Sequence, residues 1–156
     1  MRVRAIAIGS RMPRWVDEAV EDYTKRLAPK LKVTWTEIPA GPRTAGRDSS
    51  RAVAVESERL LAALRADEFV VALDERGKQL STRELAGWLH ERMQDGRDLA
   101  FVIGGPDGLA PDILVRSQLK LSLSRLTFPH ALVRVVLAEQ LYRAHTVLTG
   151  HPYHRD

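Results

Sequence analysis

Short aliphatic runs punctuate this chain at regular intervals. Val3–Ile8 (VRAIAI), residues 69–73 (FVVAL) and Leu99–Ile103 (LAFVI) are brief, rich in aliphatic residues and read as buried strands. Val33–Ile38 (VTWTEI) alternates at period two and ends at Pro39, as a strand does, and residues 119–123 form a fifth. Between them lie helical patterns. Pro13 suits the first turn of a helix running to about Ala28, before Pro29. Residues 51–64 place Val53, Leu60, Leu61 and Leu64 at helical spacing, and Ser81 with Glu84 has the spacing of a capping box. Pro111 opens a short helix. A last amphipathic helix over 131–148 turns Leu132, Val133, Val136, Leu137, Leu141 and Leu148 inward and stops at Gly150. Strands apolar on both faces, alternating with helices, specify an α/β fold: a mostly parallel sheet with helices on both faces.

Length narrows this to one domain over residues 1–156, enough chain to bury roughly 70% of its unfolded surface. A hydrophobic fraction of 44% excludes wholesale disorder. The absence of cysteine excludes disulfides, thiolate metal sites and a cysteine nucleophile. No apolar run is long enough for a membrane span, and residues 3–8 are too short for a signal segment. The expectation is a cytoplasmic protein without membrane attachment.

Charge is uneven along the chain. Residues 1–50 carry ten Lys/Arg against six Asp/Glu, residues 51–100 eight against ten, and residues 101–156 six against four. Four of the five histidines (His130, His145, His151, His154) fall in the last 27 residues. Basic ends permit a polyanionic partner, and they equally fit a solvated surface. The polar segment 41–50 (GPRTAGRDSS), with Arg43 and Arg47, reads as a mobile loop.

In open parallel sheets, ligands bind beyond the carboxyl ends of the strands. Three such ends stand out: Leu73-Asp74, Gly104-Gly105-Pro106-Asp107-Gly108, and residues 124–129. Paired glycines after a buried strand let backbone groups approach a planar or anionic ligand, although Gly-Gly and Pro-Asp-Gly also make plain turns. Phosphate-loop, dinucleotide, His-Glu-x-x-His and Gly-x-Ser-x-Gly signatures are missing, and the two histidines of His151-Pro152-Tyr153-His154 lack a third ligand, so no metal is expected. Such an enzyme works by positioning and electrostatics.

Five ordered motifs carry a resemblance. They are Ile38-Pro39-Ala40-Gly41, Ile103-Gly104-Gly105-Pro106-Asp107-Gly108, Ser122-Leu123-Ser124-Arg125-Leu126-Thr127-Phe128-Pro129-His130, Leu132-Val133-Arg134-Val135 with Glu139-Gln140-Leu141-Tyr142-Arg143-Ala144, and His151-Pro152-Tyr153-His154-Arg155. Together with Gly9-Ser10-Arg11-Met12-Pro13, this set resembles the ribosomal RNA large subunit methyltransferase H family of the SPOUT superfamily, end to end. The resemblance implies a C-terminal trefoil knot, which the general rule against threaded chains would not suggest. It also implies a homodimer, S-adenosyl-L-methionine as donor, and N3 of a pseudouridine in 23S rRNA of the assembled ribosome as acceptor.

The resemblance assigns the cofactor pocket to Leu73, Gly105, Ser124, Arg125, Leu126, Thr127, Phe128 and Pro129. Arg125 stands where a small residue is expected and raises the prospect of crowding. Loss of the N3 proton calls for a base or an anion-stabilising cation. Candidates for these catalytic roles and for contact with the RNA are Arg134, Tyr142, Arg143, Tyr153, His154 and Arg155, with His130 and His151 beside them. Arg143 follows Glu139 by four residues, so a helical ion pair competes with that role. His130 can equally cap the last helix. Rival functions are a non-catalytic ribosome-binding or assembly factor and a flavodoxin-like nucleotide binder, the latter weakened by the chemistry of residues 9–13.

Overall fold

Five parallel strands pair in the order β2-β1-β4-β3-β5, with β1 at Val3–Ile8, β2 at Val33–Ile38, β3 at Phe69–Gln79, β4 at Leu99–Ile103 and β5 at Leu119–Ser122. This arrangement comes from a computed structural model that describes residues 1–46 and 48–156. Five helices join the strands: α1 (Arg14–Leu27), α2 (Ser50–Ala63), α3 (Thr82–Asp95), α4 (Pro111–Arg116) and α5 (His130–Thr149).

The period-two geometry of the strands splits the core into two apolar layers. Val3, Ala5, Val71, Leu99 and Phe101 face one way, toward Leu27 of α1, Leu85 and Leu89 of α3, and Leu137 and Leu141 of α5. Ile6, Ile8, Val70, Ala100 and Val102 face the other way, toward Leu60 of α2 and Ile113 of α4. The sheet is therefore covered on both faces, as the unbroken apolar runs require. One charge inside β1 is accommodated by pairing. Arg4 donates to both oxygens of Glu68 at 2.9 and 2.6 Å and to the Ala63 carbonyl at 2.8 Å, satisfying a carboxylate that is 1% exposed.

Local signals place the helix ends. Ser81 accepts from the Glu84 amide while Glu84 accepts from the Ser81 amide, and Gly96 closes α3 in the left-handed conformation. Gly150 closes α5 in the same way. Pro111 occupies the first turn of α4.

Three expectations need correction. β3 does not stop at Leu73 but continues to Gln79, because four residues loop out of its ladder with β5: Leu73 and Lys78 both pair with Leu121. Gly77 permits the re-entry, since a β-carbon there would lie 2.6 Å from the carbonyl of Lys120. The segment 41–50 is pinned at its start, where Arg43 bonds Glu56 and Asp107; Arg47 lies outside the described residues. Finally, the inward face of α5 combines Leu137 and Leu141 with Ala138, Ala144, Arg134 and His145. Val133 and Leu148 pack at the margin of the core, whereas Leu132 and Val136 are half-buried and belong to neither apolar layer. Ala138 and Ala144 are buried on that inner face beside Leu137 and Leu141.

Candidate active site

The three strand ends singled out from the sequence meet in one cleft. Its volume is about 810 Å³, within the range of cavities that enclose cofactor-sized molecules. Leu73 to Arg76 from the β3 bulge form one wall, Ile103 to Leu109 the floor, and Leu123, Ser124, Leu126 to His130 and Val133 the opposite side.

Each wall has a local cause. In the bulge, the Arg76 amide donates to Asp74 Oδ1 at 3.2 Å, folding the looped-out residues on themselves. On the floor, Gly105-Pro106-Asp107-Gly108 is a tight turn closed by the Gly108 amide on the Gly105 carbonyl at 3.1 Å. Gly104 and Gly105 are buried, and a β-carbon on Gly104 would sit 2.7 Å from the Gly108 backbone. In the third wall, the Ser124 hydroxyl accepts from the Leu126 amide at 2.9 Å, and the Ser122 hydroxyl donates to the Ser124 carbonyl at 2.9 Å. Thr127 Oγ1 donates to Glu75 Oε2 at 3.2 Å, joining the third wall to the bulge.

Of the eight residues assigned to a cofactor, seven line this cleft: Leu73, Gly105, Ser124, Leu126, Thr127, Phe128 and Pro129. Arg125 is exposed and is not part of the lining, so it does not crowd the pocket. Leu126, 72% exposed, stands at the mouth as an apolar flap. The sequence reading missed the rest of the bulge and Val133. Gly77 inside the polar end of a strand pattern was the available signal for the bulge.

His130 opens α5 on the cleft wall and makes no side-chain capping bond. Burial, followed by the nearby guanidinium groups of Arg134 and Arg43, pushes its pKa below the ordinary imidazole value, with Glu56 opposing. The shift favours the neutral form of the ring.

The residues assigned to RNA divide into two groups. Arg134 is 4% exposed and ties α5 to the carboxyl ends of β1 and β2. It donates to Glu37 Oε2 at 2.6 Å, to the Ile8 carbonyl at 3.1 Å and to the Gly9 carbonyl at 2.9 Å. Tyr142, Arg143, Tyr153 and His154 gather at the far part of α5. Tyr153 donates to Glu139 Oε1 at 3.0 Å, meets the Tyr142 ring edge-on at 4.6 Å and lies under Arg143 at 4.7 Å. Arg143 pairs with Glu139 at 2.6 Å and approaches His154 Nδ1 at 3.2 Å. Both the ion pair expected from helical spacing and a docked tail are therefore present. His154 in turn contacts Asp156, which Arg83 of α3 holds through both oxygens. Arg155 and His151 are exposed. With a rise of roughly 1.5 Å per residue, the helix separates Tyr142 from His130 by roughly 18 Å. Tyr142, Arg143, Tyr153 and His154 are not part of the cleft lining.

Comparison with known proteins agrees with this architecture. A family model described as "Predicted SPOUT methyltransferase" matches residues 1–154. The chain is 55% identical over 159 residues to ribosomal RNA large subunit methyltransferase H of Alkalilimnicola ehrlichii, covering 99% of each chain. It is 50% identical to the protein of that name from Thiobacillus denitrificans, over the full length of both. The chain belongs to the ribosomal RNA large subunit methyltransferase H family. Among solved structures, a probable methyltransferase from Bordetella pertussis superposes with a TM-score of 0.59 at 20% identity, over 92% of this chain and 93% of that one. The tRNA (m1G37) methyltransferase of Aquifex aeolicus gives 0.53 at 13% identity, over 90% of this chain and 70% of that one. At such identities these two structures speak for the fold of this family member alone. Among the described residues, no helix is long and apolar enough to cross a membrane and no cluster of side chains has the make-up of a metal site.

Proposed function

We propose that this chain transfers a methyl group from S-adenosyl-L-methionine to N3 of a pseudouridine in 23S rRNA of the assembled ribosome, in the cytoplasm. The observation that carries this reading is the convergence of three strand-end loops on a cleft floored by Gly104 and Gly105. Glycine there lets the floor pack tightly on Gly108 and Ile8, where β-carbons would not fit, and Leu73, Ile103, Leu123 and Val133 offer apolar walls for the faces of an adenine. The cleft thus fits an adenosyl cofactor by size and by chemistry. When bound, that group supplies a methyl on a sulfonium, an electrophile that needs no metal or enzyme nucleophile.

What remains for the protein is orientation, exclusion of water and removal of the N3 proton. Leu126 and Phe128 line the cleft with apolar side chains. Arg143, Tyr153, His154 and Arg155 provide cations and a stacking surface for a splayed-out base and its phosphates. Arg134 contributes by holding the cleft-side end of α5 in place, and Tyr142 by bracing Tyr153.

The working unit in this reading is a pair of identical chains. The half-buried Leu132 and Val136 give α5 an apolar flank that a second copy would cover, and such pairing would bring one chain's tail to the other's cleft across the 18 Å or so of helix between them. Residues 1–156 form a single SPOUT domain in this view, with a trefoil knot at the C-terminal end. In support, the chain leaves β5 at the sheet edge and returns at once to the centre, where Arg134 meets the β1 carbonyls.

The test is mass spectrometry of 23S rRNA after ribosomes lacking the modification are incubated with the protein and isotopically labelled donor. One labelled methyl on a pseudouridine is expected. Ribosome binding without methyl transfer would replace this reading with that of a non-catalytic assembly factor.

A further inference from the structure

A buried carboxylate stands directly behind the floor of the cleft. Glu56 of α2, its side chain 3% exposed, reaches to within 3.7 Å of where a β-carbon on Gly105 would lie. It accepts from the Gly41 amide at 2.9 Å and from Arg43 at 2.7 and 3.3 Å. The same guanidinium donates through Nε to Asp107 Oδ2 at 2.9 Å. Asp107 belongs to the turn that forms the floor and is itself part of the cleft lining. Arg43 therefore spans two anions, one buried and fixed, the other at the tip of a glycine-rich turn with little apolar packing. The planar fork of arginine suits this bridge, because its donors are set at fixed angles.

We infer that Arg43 is a positioning residue for the methyl-donor site: by bridging Glu56 and Asp107 it fixes the turn from Gly105 to Gly108 in the shape the cofactor meets. This rests on the reading of the cleft as the S-adenosyl-L-methionine site. Without the bridge, the turn samples other shapes, and binding must supply the ordering that Arg43 now provides in advance. The effect should fall on cofactor affinity and leave the chemical step alone.

Calorimetry with S-adenosylhomocysteine on the full-length protein tests this. Arg43→Ala is expected to weaken binding about 10-fold, Asp107→Asn about 3- to 10-fold, and Arg43→Lys less than Arg43→Ala, since lysine keeps the charge and loses the fork. The double variant Arg43→Ala/Asp107→Asn should bind within about twofold of Arg43→Ala, because the two groups act through one contact. In steady-state assays KM for the cofactor should rise in parallel while kcat stays within about twofold. Unchanged affinity in folded Arg43→Ala, additive losses in the double variant, or a fall in kcat alone would each overturn the inference. Should Arg43→Ala fail to fold, unchanged affinity in Asp107→Asn and Arg43→Lys would overturn it. Failure of the unaltered protein to bind S-adenosylhomocysteine would overturn the cofactor reading and the inference together.

Discussion

The cleft and the tail cluster draw on different turns of α5 and are built on opposite principles. The cleft is made largely of backbone: a bulge, a glycine turn and a loop, joined by few side-chain bonds. The tail cluster is made of side chains converging on Glu139, which accepts from both Arg143 and Tyr153. A backbone pocket selects by shape and tolerates changes at its rim, whereas a charged cluster depends on each partner. If the two regions have the roles proposed for them, cofactor capture and RNA engagement can be disabled separately. In the proposed reading, joining them takes a second copy.

The largest effect should come from the cleft floor. Gly105→Leu would drive a side chain toward Ile8 Cγ2, already 3.1 Å from a bare β-carbon. Calorimetry should show S-adenosylhomocysteine affinity falling about 100-fold or more, equivalent to about 2.7 kcal/mol. Arg155→Ala should instead lower turnover about 10-fold and leave cofactor affinity within about twofold, as expected for a group engaged only with RNA. If Arg155→Ala lost cofactor affinity, the two regions would not be separable. Mixing the two variants sharpens the point. Random pairing of copies should restore about a quarter of the normal methylation when cleft and tail come from different chains; no recovery would place both functions within one chain.

Smaller effects probe the tail alone. Tyr153→Phe removes the hydrogen bond to Glu139 and should cost about 0.5–1.5 kcal/mol in denaturant unfolding, with no change in cofactor affinity. Burial, reinforced by hydrogen bonding to Glu139, pushes the Tyr153 phenol up to about 12 from its usual 10.0. A raised phenol pKa favours the folded state while the proton stays on. That contribution is complete below pH 10 and disappears as pH rises toward 12, so phenolate absorbance should show one tyrosine titrating late. His130 runs the other way. Its lowered pKa disfavours protonation in the folded state, so its contribution is present above the usual value of 6.5 and is lost as pH falls below it. A His130 titration midpoint at or above 6.5 by NMR would contradict this environment.

Much of this was legible in the sequence for definite physical reasons. Short unbroken apolar runs such as LAFVI, closed by glycine, read as strands buried on both faces, and Ser81 with Glu84 marks a helix start by local bonding. Because ligands sit at strand ends in such sheets, the three loops were identifiable before their convergence could be seen. Long-range pairing was not legible. Arg134 looks like a free cation on a helix, and only the folded chain shows its bonds to Ile8 and Gly9, more than a hundred residues away. The same holds for Arg43, whose polar neighbours suggested mobility. Its partners Glu56 and Asp107 come from a helix and a turn that the local pattern could not relate. The extension of β3 to Gln79 escaped because the residues past Leu73 are polar and resemble a loop.

Arg134 also bears on the birth of the molecule. Its carbonyl partners lie at sequence separations of 125 and 126 residues, so the first strand must wait for the last helix before the cleft wall can close. Contacts this remote slow folding, since a long stretch of chain has to be gathered before they form. During synthesis, a nascent copy should stay inert toward the methyl donor until nearly all of it has left the translating ribosome, and acquire its affinity only in the final step of maturation.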